Sequence, residues 1–231
     1  MKNLNQKMEE NQKILQALSD SGVEFLSVDG VVIESSVKVG KGTVIYPNVI
    51  LKGETIIGEN CVITHGSLIE NCVIGNDTVI NASQCYNSKI GSEVKIGPFS
   101  HIRPDCTIAD HVKIGDFVEI KNSVLEVGVS VSHLTYVGDS DIGKNVNFGC
   151  GCVTVNYDGV NKARCTVGDN AFIGCNTNLI APVRVGDNTF IAAGSTITDE
   201  VPDGDFAIAR ARQVNKENLG KEKLKNRKLK Y

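Results

Sequence analysis

The fold class predicted for this 231-residue chain is all-β: a single-stranded, left-handed parallel β-helix of hexapeptide repeats with a short N-terminal helix. Three observations predict it. An aliphatic residue returns every sixth position in three registered blocks: Val39, Ile45, Leu51, Ile57, Ile63 and Ile69; Ile90, Ile96, Ile102, Ile108, Ile114 and Ile120; and Val167, Ile173, Leu179, Val185, Ile191 and Ile197. A period of six fits neither the 3.6 of a helix nor the 2 of an alternating strand, but is that of a solenoid built from short flat sides. Second, glycine commonly follows the aliphatic, as in Ile57-Gly58, Ile90-Gly91 and Ile114-Gly115, with a small or β-branched residue three further on (Cys61, Val94, Val118). The glycine frees the backbone at a corner, and the small residue packs beside it. Third, the period is missing at both ends of the chain. Parallel crossovers are right-handed in nearly all proteins; hexapeptide coils, with sides too short for a crossover helix, are the left-handed exception.

The elements follow in order. In residues 1–22, Leu4, Met8, Asn11, Leu15 and Leu18 fall at helical steps among Glu, Gln and Lys, and Ser21-Gly22 supplies the stop. This predicts an amphipathic helix that packs on the prism or on a partner subunit, with three-stranded coiling around Asn11 as the alternative. Residues 23–204 form the solenoid; from Val37 to Val201 there is room for about nine coils, a prism about 40–45 Å long at the strand-pairing spacing of about 4.8 Å per coil. Residues 205–231 lose the period and end in a lysine-rich tail from Lys216, read as a solvated end.

Composition excludes several function classes. Tryptophan is absent and aromatics are 5%, as expected for thin coils filled by Ile, Val and Leu. A net charge of −3 gives no whole-molecule attraction to nucleic acid or to an acidic membrane, and no stretch approaches the ~20 apolar residues of a membrane span. No apolar leader is visible at the start, so a cytoplasmic location is expected. The eight cysteines lack disulfide or zinc spacing and several fill small-residue slots, so they are read as reduced core residues.

Function is sought where the repeat breaks, because the aliphatic ladder needs no insertion. The clearest break is the polar segment Val155–Lys162, with Asp158-Gly159 as its reversal. Just upstream, His133 and Tyr136 flank the inward slots Val131 and Val137. Arg103 and Lys121 each follow an inward isoleucine and lie 18 residues apart, one coil, so their side chains stack on one corner. Two like charges that close repel, and an anion between them relieves the cost; a phosphate is therefore expected there.

With these residues assembled, the chain resembles the acetyltransferase half of the bacterial bifunctional glucosamine-1-phosphate acetyltransferase/N-acetylglucosamine-1-phosphate uridylyltransferase, from about Val23 to Gln213. The resemblance is densest at Gly97-Pro98-Phe99 with Arg103-Pro104, Gly115-Asp116-Phe117-Val118-Glu119-Ile120-Lys121, Ser132-His133-Leu134-Thr135-Tyr136, Asn156-Tyr157-Asp158-Gly159, Ile191-Ala192-Ala193-Gly194 and Ala207-Ile208-Ala209-Arg210. It implies a homotrimer that takes acetyl-CoA and an amino sugar phosphate between prisms and uses no metal. Residue by residue, it implies that Arg103, Lys121, Tyr136, Asn147, Asn156 and Lys162 hold the sugar phosphate. His133 would be the general base of a direct transfer, with Asn156 and the backbone N–H of Tyr157 beside the reacting groups, and Glu119 would orient His133 or a basic neighbour. Cys150, Cys175, Ala193 and Arg210 would line the coenzyme A site; at Cys150 and Cys175 some members carry alanine and serine. The uridylyltransferase domain has no counterpart here, so uridylyl transfer is not expected. Glucosamine-1-phosphate is the leading substrate, with galactosamine-1-phosphate or another amino sugar left open. The competing class is a non-catalytic trimeric sugar-phosphate or CoA-binding regulator or scaffold, which would need only the ladder. A zinc carbonic anhydrase on the same prism would need clustered histidines, and His65, His101, His111 and His133 contain no close pair.

Overall fold

In the computed structural model, which describes residues 3–225, the chain winds into three parallel sheets of 11, 10 and 9 strands. Each coil lays one strand on each sheet, and the hexapeptide left-handed β-helix is the fold. Face one runs from Glu24–Phe25 to Phe206–Ala207, face two from Val32–Ile33 to Thr196–Ile197, and face three from Lys38–Val39 to Val183–Val185. The nine coils expected are therefore ten with a closing strand. The winding begins at Glu24, before the first registered aliphatics, and Val201 adds a further bridge to Val185.

The inward aliphatics stack in register. On face one, Ile45, Ile63, Ile80, Ile96, Ile114, Val131, Phe148, Ile173 and Ile191 pair coil to coil, all at most 3% exposed. Burial of each such side chain contributes about 1.5–3 kcal/mol, so the ladder holds the prism together without any layer of helices. Most of the phase slips between the sequence blocks arise at edge two, between faces two and three. There Asn71, Asn87, Asn122 and Asp139 take left-handed backbone and turn the chain in one residue fewer. Asn and Asp tolerate that conformation because their short polar side chains bond locally.

The small slots do more than avoid a clash. Thr78 Oγ1 donates to the Gly91 carbonyl at 2.9 Å and Cys61 Sγ to that of Gly75 at 3.1 Å, each reaching the next coil. Cysteine here substitutes for a small hydroxyl, as a buried weak donor. Burial pushes the Cys72, Cys152 and Cys165 thiols up to about 11, so they are inert.

Helix α1 (Leu4–Asp20) starts with a reciprocal cap between Asn3 and Gln6 and seats Leu15 against the first coil. The Asn11 side chain is engaged within its own chain. Its amide donates to the Val31 carbonyl at 2.9 Å and accepts from the Ile33 N–H at 3.1 Å, standing in for the missing strand below face two. Asn11→Ala is expected to cost about 1–3 kcal/mol, the cost of leaving partly buried backbone groups unpaired, read as a lowered midpoint in thermal unfolding. An unchanged midpoint would show that water replaces the amide. A second helix, α2, spans Leu219–Leu224; the lysine-rich tail beyond Lys225 lies outside the described residues.

Candidate active site

Two clusters flank face two over coils that lie side by side. The first runs along edge one, between faces one and two. Asp116, His133, Cys150 and Cys175 occupy one column there: the residues after each are tied by backbone bonds from Leu134 N to Asp116 O (3.0 Å), Gly151 N to His133 O (3.3 Å) and Asn176 N to Cys150 O (2.8 Å). The column continues through the Gly194 N to Cys175 O bond (2.8 Å) to Ala193. Arg210 folds back over its end, because a methyl group at Gly194 would stand 3.5 Å from the Arg210 Cδ. The candidate coenzyme residues and the candidate base thus share one line along the prism.

His133 is exposed, and its Nδ1 lies 2.7 Å from the Asp116 carboxylate. That bond holds the Asp116 carboxyl below the usual carboxylate range. A carboxylate at Nδ1 fixes the tautomer with the proton on Nδ1 and leaves Nε2 as an acceptor. Asp116 was missed in the sequence as the partner of this histidine. The signal was its place 17 residues before His133, one shortened coil, with Asp116 and His133 paired in register. Glu119, a candidate for orienting His133 or a basic neighbour, takes the second role: its Oε1 accepts from Arg103 Nη1 at 2.8 Å.

The second cluster lies at edge two. Lys121 Nζ is 3.2 Å from both oxygens of Asp139, which also accepts from Asn122 Nδ2 at 2.6 Å and from Asn156 Nδ2. Asn156 Nδ2 reaches the Tyr136 hydroxyl as well, at 3.4 Å. The Tyr136 ring lies flat over Gly138, where a methyl group would come within 2.2 Å of its hydroxyl oxygen, so only glycine permits this pose. Lys162 reaches Lys121 from the loop. Arg103 and Lys121 do stack on one corner as expected, but each already faces a carboxylate, Glu119 and Asp139. Three cations against two carboxylates still leave one positive charge in excess. Desolvation pulls the Lys121 ammonium down, yet Asp139 outweighs it and holds the lysine above its ordinary value. For Asp139, burial pushes upward, and the hydrogen bonds from Asn122, Asn156 and Lys121 overcome it and hold the carboxyl low. Asp139 was hidden in the sequence because it occupies a corner position where asparagine stands in other coils.

The polar break is a small hairpin at this same edge. The Asp158 carboxylate accepts from the Val160 and Asn161 N–H groups at 2.7 and 2.6 Å, and Ala163 N donates to Asn156 O at 3.0 Å. Arg164 clamps its return through Asp141, Ser140 and Asn122. Tyr157 is exposed at its entrance, and its backbone N–H makes no hydrogen bond among the described residues. Asn147 is not brought to either cluster: it projects from face one, paired with Ser130 and Phe172. No group of three or more His, Cys, Asp or Glu among the described residues is placed to hold a metal ion, and no helix there is long and apolar enough to cross a membrane.

The repeat model described as bacterial transferase hexapeptide (six repeats) matches residues 36–71, 87–122 and 164–199, which marks the chain as a hexapeptide-repeat protein. The chain is 53% identical over 196 residues to the bifunctional protein GlmU of Listeria monocytogenes serotype 4b (strain F2365), covering 85% of this chain and 43% of that protein. The GlmU of Geobacillus sp. (strain WCH70) is 54% identical over 198 residues, covering 86% and 43%. The chain belongs to the family formed by the acetyltransferase, hexapeptide-repeat part of these proteins. It spans less than half the length of those relatives. Among solved structures, an Arabidopsis UDP-N-acetylglucosamine acyltransferase superposes with a TM-score of 0.56 at 21% identity, over 79% of this chain and 66% of that one, a likeness of fold alone.

Proposed function

We propose that this protein transfers the acetyl group of acetyl-CoA directly to the amine of an amino sugar 1-phosphate, with glucosamine-1-phosphate as the substrate. The observation that carries the reading is the shared column of edge one, in which the Asp116–His133 pair heads a line of small residues ending under Arg210. Cys150, Cys175 and Ala193 leave shallow relief along that line, which suits a narrow pantetheine arm, and Arg210 supplies charge for phosphates at its far end. Acetyl-CoA supplies the activated acyl group.

His133 Nε2 accepts the proton that the sugar amine loses as it attacks. Asp116 keeps the imidazole in the right tautomer and offsets its charge once it is protonated. The Tyr157 N–H offers a hydrogen bond to the acyl oxygen as negative charge builds there. Arg103, Lys121 and Lys162 bind the phosphate through their excess charge, while Tyr136 and Asn156 line the sugar platform. Asn147 projects from another face, so it completes a pocket only when supplied by a neighbouring prism. That is the support for a homotrimer with its sites at the shared boundaries. A cytoplasmic setting and a place in the supply of a nucleotide-activated amino sugar accompany this reading.

The test is release of free coenzyme A thiol when purified protein meets acetyl-CoA and a panel of amino sugar 1-phosphates. Turnover is expected with glucosamine-1-phosphate. Arg103→Ala or Lys121→Ala should raise its KM about 10- to 100-fold, matching the about 1.5–3 kcal/mol of a charged hydrogen bond. Silence across the panel with coenzyme A still bound would favour the non-catalytic regulator.

A further inference from the structure

Of the eight cysteines, six are buried; Cys150 is half-buried and Cys175 is exposed. These two accessible thiols are successive residues of the edge-one column. The Asn176 N to Cys150 O bond of 2.8 Å fixes their coils against each other. Neighbouring coils put equivalent residues about 4.8 Å apart, inside the ~4.4–6.8 Å Cα range of disulfides. The Cys175 sulfur leans back toward the coil of Cys150: a methyl group at Gly149 would come within 2.8 Å of it. Cys61, Cys106 and Cys152, by contrast, spend their thiols on carbonyls inside the prism.

We propose that Cys150 and Cys175 form a modification site, a dithiol that a peroxide closes into a disulfide across two coils. The exposed Cys175 thiolate attacks the peroxide, breaking its O–O bond to give a sulfenic acid and one water. The Cys150 thiol then displaces the hydroxyl from that sulfur, forming the S–S bond and releasing a second water. Two thiols are oxidised and one hydrogen peroxide is reduced to two waters. Stacked side chains hold their Cβ atoms near the coil spacing, slightly beyond the ~3.5–4.5 Å of a relaxed bridge, so the bond belongs to the strained class that thiols readily reduce. The bridge spans the stretch between His133 and Ala193. Its effect on acetyl transfer rests on the proposed function; its formation does not.

The experiment treats the full chain with one equivalent of hydrogen peroxide, alkylates remaining thiols under denaturing conditions and maps peptides by mass. The expected result is one peptide linked through Cys150 and Cys175, lighter by two hydrogens, absent in Cys150→Ser and Cys175→Ser and reversed by dithiothreitol. Full alkylation of both cysteines, or separate sulfinic acids on each, would overturn the proposal. In parallel, saturating acetyl-CoA should slow bridge formation, and the bridged protein should lose acetyl transfer until reduced. A bridge that leaves transfer untouched overturns the blocking role. Protein silent before oxidation counts against the proposed function and leaves the peptide result standing.

Discussion

Replacing His133 with alanine is expected to lower kcat for acetyl transfer by about 10²–10⁴-fold, the contribution of a positioned general base. KM for the sugar phosphate should change little, because the phosphate-facing cations lie at the other edge of face two. The fold should be unaffected, since the His133 side chain is 58% exposed and its hydrogen-bond partner, Asp116, is 38% exposed. Steady-state kinetics with a thermal unfolding curve separate these outcomes. Asp116→Asn sharpens the test. An asparagine amide can donate to Nδ1, which would move the ring proton to Nε2 and remove the acceptor there. Its kcat should therefore fall while the side chain keeps its size. A His133→Ala enzyme with undiminished kcat would remove the histidine from the mechanism.

Asp139→Asn is expected to have the largest effect on stability of any single substitution at the site, about 3 kcal/mol. That is the low end of the cost of breaking a buried ion pair, chosen because the Lys121 side chain retains 18% exposure against 5% for Asp139. Asparagine keeps the left-handed corner, so the change isolates charge from backbone. It sets an amide against the donors of Lys121, Asn122 and Asn156. The pH dependence has a definite sign. The Asp139 carboxyl is held below its unfolded value, so its contribution is present above about pH 4, the ordinary aspartate range, and is lost as pH falls through the folded value. Wild type should lose stability on acidification through this window, and Asp139→Asn should lose that part of the slope. Chemical denaturation at several pH values reads both. Equal stability of the two proteins at pH 7 would show that the pair contributes nothing.

Much of the architecture was legible because its signal is periodic. The stacks headed by Ile45 and Ile57 needed only spacing, and the hairpin at Asp158 announced itself as an interruption. The corners were harder. A coil one residue short leaves each aliphatic in place but shifts which polar side chains overlie one another. Asp116 over His133 and Asp139 over Asn122 could not be read from an 18-residue step. The expectation that Arg103 and Lys121 need an outside anion counted cations only, and Glu119 and Asp139 sit one coil along. The stacking of those two cations was sound, because both follow inward isoleucines. Asn11 completed a helical series with Leu4, Met8, Leu15 and Leu18, and its bonds to Val31 and Ile33 became visible only once the first coil had an open rim.

That rim has a consequence for how the molecule behaves in a crowd. A parallel solenoid ends in bare main-chain donors and acceptors, an adhesive template onto which another chain could add strand upon strand. Helix α1, with the Asn11 amide bonded to Val31 and Ile33, acts as a stopper on that template. Removing the helix should then turn a discrete particle into one that elongates end to end into filaments, in the manner of stacked cross-β chains.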